Sequence, residues 1–160
     1  MDKTTLVIGI GSLILLGGIV FAATLSDRNA AIKGATSAPR DQCIEHATVA
    51  MHIHADLAIY VDGQKVPIPA NTGISPECMK ALHTHDDTGT IHIESPTLTE
   101  FTLGDFFAVW GQPLSASQIL DKVVDDTHAL LMTANGASSN EFEKLILADG
   151  QQIELRYTQK

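Results

Sequence analysis

Hydrophobic and polar residues alternate along several short stretches of the chain, and this period of two predicts β-strands with two different faces. In residues 52–60, the aliphatic side chains at positions 53, 55, 57 and 59 share one face. His52, His54 and Asp56 share the other face. The Asp-Gly turn at residues 62–63 predicts a hairpin with a second strand over residues 65–69.

A second hairpin is predicted over residues 81–94, with a turn at residues 86–89 (Asp-Asp-Thr-Gly). If residue 85 pairs with residue 90, His83 lies directly opposite His92, with β-carbons about 5 Å apart. His85 and Glu94 have the same parity as this pair. We therefore expect His83, His85, His92 and Glu94 on one face.

Two short helices are predicted after this hairpin. Thr102 and Asp105 have the spacing of a capping box before an apolar run that ends at Trp110. Ser115 and Gln118 repeat the spacing and predict a second helix to about residue 124.

Strands over residues 128–133, 142–147 and 151–157 complete the predicted elements. We expect an α+β domain with a mostly antiparallel sheet and two short helices. A β-grasp-like sheet and a small β-sandwich both satisfy this order of elements.

The amino-terminal region differs from the rest in composition. Residues 6–25 carry no charge, and a helix of this length would cross roughly 30 Å of hydrocarbon. We expect residues 1–25 to be a transmembrane anchor or signal segment, because Val-Phe-Ala at 20–22 also fits a cleavage site. More basic residues follow the apolar run than precede it, which opposes an exported domain, although long domains translocate regardless of such charges. Residues 26–41 read as a flexible tether, and residues 42–160 as an extracytoplasmic domain.

The charge and the cysteine content of the chain limit the classes of function that it can have. Lys and Arg total 10 against 19 Asp and Glu, so the chain has no basic surface for nucleic acid. Cys43 and Cys78 are the two cysteines, and an exported domain would join them in a disulfide. The alternative is that their thiolates bind a soft metal with the help of Met79.

The alternating histidines predict a metal site. Neutral imidazole is a common ligand for copper and zinc, which need three or four donors. The predicted ligands are His52, His54, His83, His85 and His92, with Glu94 and Asp86 as further ligands or as acceptors that orient the imidazoles. Two alternatives remain open: the histidines form a half-buried polar layer, or they form a proton-linked switch.

Outside this pattern, we expect His46 and His128 to be ordinary surface or core histidines, and Met51 and Met132 to be packing residues.

Catalytic motifs are matched only in part. A metallo-β-lactamase-type run would need histidine where Thr88 stands, and a cupin would need a glutamate where Gly89 and Thr90 stand. A blue-copper site would need a methionine shortly after His83. No nucleophile and base can be paired from the sequence, so whether the chain is an enzyme is uncertain, and binding is favoured over catalysis.

One region of the chain resembles a known family. The strings are LHTHD (82–86), GTIHIESP (89–96), FTLGDFF (101–107) and WGQPL (110–114), with HIH (52–54) and VDG (61–63) upstream. They resemble an uncharacterised family of exported or membrane-anchored prokaryotic proteins over roughly residues 50–115. The resemblance implies an extracytoplasmic domain and supplies no reaction.

The sequence therefore predicts a membrane-tethered extracytoplasmic protein that binds a copper or zinc ion. Metal handling, or an accessory role in a membrane metalloenzyme complex, is the expected use. Membrane lipid, contacted through the amino-terminal helix, and a larger membrane protein complex are the expected partners; nucleic acid is not. The alternatives are a structural or interaction subunit without metal, and a small metalloenzyme.

Overall fold

The computed structural model describes residues 38–45 and 49–160. The expected transmembrane segment, most of the expected tether and His46 lie outside these residues. Within the two described ranges, no helix has both the length and the apolar character needed to cross a membrane.

The described residues form a mixed sheet with one α-helix. The strands are β1 (Met51–Val61), β2 (Gln64–Val66), β3 (Ile74–Ser75), β4 (Cys78–Met79), β5 (Leu82–His83), β6 (Thr90–Ser95), β7 (Leu114–Ser115), β8 (Gln118–Ile119), β9 (Lys122–Val123), β10 (His128–Ala134), β11 (Ala137–Ser139) and β12 (Gln151–Gln159). The sheet has the strand order β11–β10–β12–β1–β6–β5, and β2 also pairs with β1. The helix α1 is Leu103–Trp110.

The α+β class is confirmed, but the central strand pair is parallel. β1 and β12 run in the same direction, with Ala55 beside Gln151 and Val61 beside Tyr157. The other strand pairs of the described sheet are antiparallel. A parallel pair needs a long crossover, and the residues between β1 and β12 provide it.

The first hairpin is confirmed, with a shorter second strand. Asp62 and Gly63 both have positive φ, 49° and 80°, as a two-residue type I′ turn requires. Ala55, Leu57 and Ile59 are buried, so the predicted core parity is correct. β2 ends at Val66, before two prolines that cannot donate a ladder hydrogen bond.

The predicted register of the second hairpin is also confirmed. His83 in β5 pairs with His92 in β6. β5 ends at His83, so His85 belongs to the connection between the strands. The connection between β5 and β6 spans residues 84–89 and is longer than the predicted four-residue turn.

The first predicted helix is present and capped as expected. The Thr102 side chain accepts a hydrogen bond from the Asp105 backbone, and Asp105 accepts one from the Thr102 backbone. Gly111 ends the helix in the left-handed conformation, with φ 74°. Phe106 and Phe107 are fully buried in the core, so α1 covers the apolar face of the sheet.

The second predicted helix is wrong. Residues 114–123 form the three short strands β7, β8 and β9. The Ser115 hydroxyl accepts from the Ser117 backbone, two residues on, and so closes a turn instead of capping a helix. Leu120 has φ 52°, which a right-handed helix does not allow.

The strand predicted over residues 142–147 is also wrong. Phe142–Lys144 is a 3-10 turn, and β10 pairs with β11 on one side and with β12 on the other. Asn135 and Gly136 have φ of 52° and 79° and form the two-residue turn between β10 and β11. β10 and β12 match their predicted strands within two residues.

The predicted disulfide between Cys43 and Cys78 is present, with 5.2 Å between the α-carbons. It joins the segment before β1 to β4. The Ile44 backbone donates to the Met79 carbonyl at 2.8 Å beside it. The cysteines are therefore structural and leave the histidines as the candidate ligands.

Replacing Cys43 and Cys78 together by alanine should lower the free energy of unfolding by about 3 to 4 kcal/mol, because a 35-residue loop is no longer closed in the unfolded chain. Urea unfolding of the oxidised protein and of the double variant measures this difference. Equal unfolding midpoints would show that the cross-link does not support the domain.

Gly89→Ala should destabilise the domain more than Gly63→Ala. Both glycines have positive φ, so alanine costs about 1 to 2 kcal/mol at either position. A β-carbon at Gly63 meets open space, whereas one at Gly89 would lie 2.3 Å from the Leu57 carbonyl oxygen. We expect a further loss of about 2 kcal/mol for Gly89→Ala in urea unfolding. Equal losses would contradict this close approach to β1.

Candidate metal centre

The predicted histidine face is assembled by three neighbouring strands. In the register of β1 against β6, His54 lies opposite His92, and His52 lies opposite Glu94. In the register of β6 against β5, His83 lies opposite His92. Because β6 is the middle strand, His92 is adjacent to histidines on both sides.

The five histidines lie close together and are called the histidine cluster below: His52, His54, His83, His85 and His92. The His92 ring centroid is 4.6 Å from that of His54, 4.5 Å from His85 and 5.4 Å from His83. His52 is 6.0 Å from His92 and 4.7 Å from His54. The structure thus brings together all five histidines that the sequence predicted as ligands.

Two sets of three histidines have the spacing of a metal site. They are His52, His54 and His92, and His83, His85 and His92. In each set the ligand nitrogens lie within 4.8 Å of one another. Nitrogens bound to one zinc ion at about 2.0 to 2.1 Å lie at most about 4.2 Å apart. Small side-chain rotations would therefore bring either set around an ion.

His83 is held with one ring nitrogen directed into the cluster. The side chain is fully buried, and Nδ1 lies 3.0 Å from the Lys80 carbonyl oxygen. A carbonyl can only accept, so Nδ1 carries the proton and Nε2 carries the lone pair. The Lys80 carbonyl thus fixes the tautomer of His83, as hydrogen-bond acceptors commonly do for metal-binding histidines.

Two buried ring nitrogens lack hydrogen-bond partners among the described residues: His83 Nε2 and His92 Nδ1. A buried polar atom left in this state costs about 1 to 3 kcal/mol. A metal ion bound at an unprotonated nitrogen would remove this cost. The donor set therefore fits a metal that prefers nitrogen ligands.

Glu94 lies beneath the cluster and is 1% exposed. Its Oε1 atom is 3.3 Å from His52 Nε2 and 3.9 Å from His83 Nε2. A buried carboxylate at this position would attract a cation. The role predicted for Glu94, as a ligand or as an acceptor that orients imidazoles, stays a prediction.

Asp86 belongs to neither histidine set. It lies in the connection after His85, where its carboxylate accepts hydrogen bonds from the Thr88 backbone and hydroxyl. These bonds lower the pKa of Asp86, and the nearby imidazoles of His92 and His85 contribute less. These bonds tie the carboxylate to the turn after His85, and a role for Asp86 at the metal stays a prediction.

Two contacts that support the cluster were missed by the sequence prediction. The Thr84 hydroxyl donates to the Pro69 carbonyl at 2.8 Å and accepts from the Thr72 backbone at 3.1 Å, which fixes the chain between His83 and His85. The Asp149 carboxylate accepts from the His54 backbone at 3.0 Å. Both contacts join residues that are distant in sequence, so no local sequence pattern predicts them.

Burial and mutual repulsion keep the central histidines neutral. Burial lowers the pKa of His83 from 6.5 to about 4, against an opposing effect of the hydrogen bond to Lys80. Burial, followed by the neighbouring imidazoles of His85, His54 and His52, lowers the pKa of His92. Both side chains are therefore unprotonated at neutral pH, which is the form that binds a metal.

The remaining described residues singled out by the sequence are packing residues, as predicted. His128 in β10 stacks on Tyr157, with 5.0 Å between ring centroids, and its backbone donates to Asp125. Met132 is buried in the core, and Met51 packs against it.

Comparison of the chain with protein-family models, with curated proteins and with solved structures finds no match.

The metal-free protein should lose stability as the pH falls from about 6.5 to about 4. In this range His83 gains a proton in the unfolded chain but stays neutral in the folded one. The free energy of unfolding therefore falls by roughly 3 kcal/mol by the lower pH. Urea unfolding at several pH values measures the loss, and His83→Gln should reduce it by about this amount. Parallel curves for the two proteins would contradict the lowered pKa.

Proposed function

We propose that the domain binds a transition-metal ion, copper or zinc, through the histidine cluster. The observation that carries the proposal is the pair of buried ring nitrogens, His83 Nε2 and His92 Nδ1, that have no hydrogen-bond partner within the described part of the chain. They face a group of imidazoles with ligand spacing. A purely structural polar layer would be expected to satisfy these nitrogens internally.

The type of donor favours zinc or copper over other cations. Imidazole nitrogen suits zinc and copper, whereas magnesium and calcium prefer oxygen donors. Both cysteines are in the disulfide, so thiolates do not contribute to the site. The buried carboxylate of Glu94 would offset part of the charge of a divalent ion.

The scaffold and the location form part of the same proposal. The helix and the parallel central pair, β1 beside β12, support a β-grasp-like scaffold over a sandwich. The disulfide supports an oxidising compartment. Together with the apolar residues 6–25, it favours an extracytoplasmic domain tethered to a membrane, with a role in metal handling or as an accessory subunit of a membrane metalloenzyme.

The test is metal-dependent stabilisation of the full-length chain, purified without a histidine tag and stripped of metal. At free zinc or copper about 100 times Kd, the folded state should gain about 2.7 kcal/mol, which raises Tm by roughly 5 to 10 °C. His92→Gln should abolish the gain, because His92 belongs to both histidine sets.

His128→Gln is the matched control, since it removes a histidine that packs on Tyr157 in β12. It should keep the metal-dependent rise in Tm, and magnesium should produce none. The proposal fails if neither zinc nor copper raises Tm, or if His92→Gln gives the same rise as the wild type.

A further inference from the structure

We propose that the cluster contains two alternative metal positions that share His92, and that an ion enters at one and is retained at the other. The loading position is formed by His52, His54 and His92, and the retaining position by His83, His85 and His92. This inference rests on the proposed function and adds a path for the ion.

The loading position is open to solvent. The side chains of His52 and His54 are 49% and 44% exposed, and both stand on β1. Exposed imidazoles can rotate to meet a hydrated ion or an ion held by a weak small-molecule complex. Two ligands that move in this way favour fast capture more than tight retention, because their freedom is lost on binding.

The retaining position has a ligand that is already in place. His83 is fully buried, and its hydrogen bond to the Lys80 carbonyl fixes the ring with Nε2 facing the cluster. Little freedom remains to be lost when this nitrogen binds an ion. Slow release is therefore expected here.

Only one position can be filled at a time while His92 is neutral. A neutral imidazole has one unprotonated ring nitrogen and so one lone pair for a metal. The ion would keep its bond to His92 while it exchanges the nitrogens of His52 and His54 for those of His83 and His85. No electron is transferred, and the departing imidazoles remain neutral.

The carboxylate of Glu94 lies along this path. Its Oε1 atom is 3.3 Å from His52 in the loading position and 3.9 Å from His83 in the retaining position. The group is buried, so its attraction for a cation is weakly screened. A negative charge near both positions would stabilise the ion throughout the exchange.

The experiment follows zinc transfer to the untagged full-length chain from a chromophoric zinc chelator, by stopped-flow absorbance, together with the equilibrium Kd. The first variant is His52→Ala with His54→Ala, the second is His85→Ala, and His128→Gln is the control. The substituted cluster residues are exposed or half-exposed, and buried His83 is left intact. Urea unfolding of each metal-free variant confirms the fold.

The double variant should load zinc at least about tenfold more slowly while its dissociation rate stays close to the wild-type value. His85→Ala should load at the wild-type rate and release zinc at least about tenfold faster, since loss of a ligand weakens binding at least as much as loss of a group that orients one. The control should match the wild type in both rates.

Other outcomes overturn the two-position path. Equal changes in both rates for the two variants would indicate one site built from all five histidines. Two zinc ions bound per chain would show that the positions fill together. If the wild-type chain takes up no zinc or copper, the proposed function itself fails, which is distinct from failure of the path.

Discussion

The register of β6 against its two neighbours places His92 opposite His54 on one side and opposite His83 on the other. Side chains alternate between the faces of a strand, so a slip by one residue would move His92 into the apolar core and Ile91 or Ile93 onto the histidine face. The same alternation buries Ile91 and Ile93 in the core that also contains Phe106 and Phe107 of α1. Packing of the core therefore determines where the histidines lie, and the cluster depends on this register.

The short edge strand β5 needs support that two strand residues cannot give alone. Thr84 ties it to residues 69–72, and Lys80 anchors the ring of His83. The disulfide links Cys78, shortly before β5, to Cys43, and the backbones of Cys43 and Lys80 form a β-bridge beside it. These contacts fix the most buried histidine of the cluster from outside the sheet, so the candidate site is preorganised.

Local patterns predicted the parts of this structure that local chemistry determines. The alternation in β1, the turn at residues 62–63, the cap at Thr102 and the pairing of His83 with His92 follow from neighbouring residues. The parallel pairing of β1 with β12 joins segments about 95 residues apart and has no local signal. Ser115 carries the same spacing as a helix cap, yet its hydroxyl closes a turn. Tertiary packing decided between these two uses of one motif.

In the proposed site, imidazole nitrogens are the only side-chain atoms that bind the ion, and Glu94 lies close by. X-ray absorption spectroscopy of the zinc-loaded full-length chain measures the ligands of the ion. We expect nitrogen or oxygen neighbours at about 2.0 to 2.2 Å, with the outer-shell scattering of at least three imidazole rings. Sulfur scattering at about 2.3 Å, or scattering from fewer than two imidazoles, would contradict it.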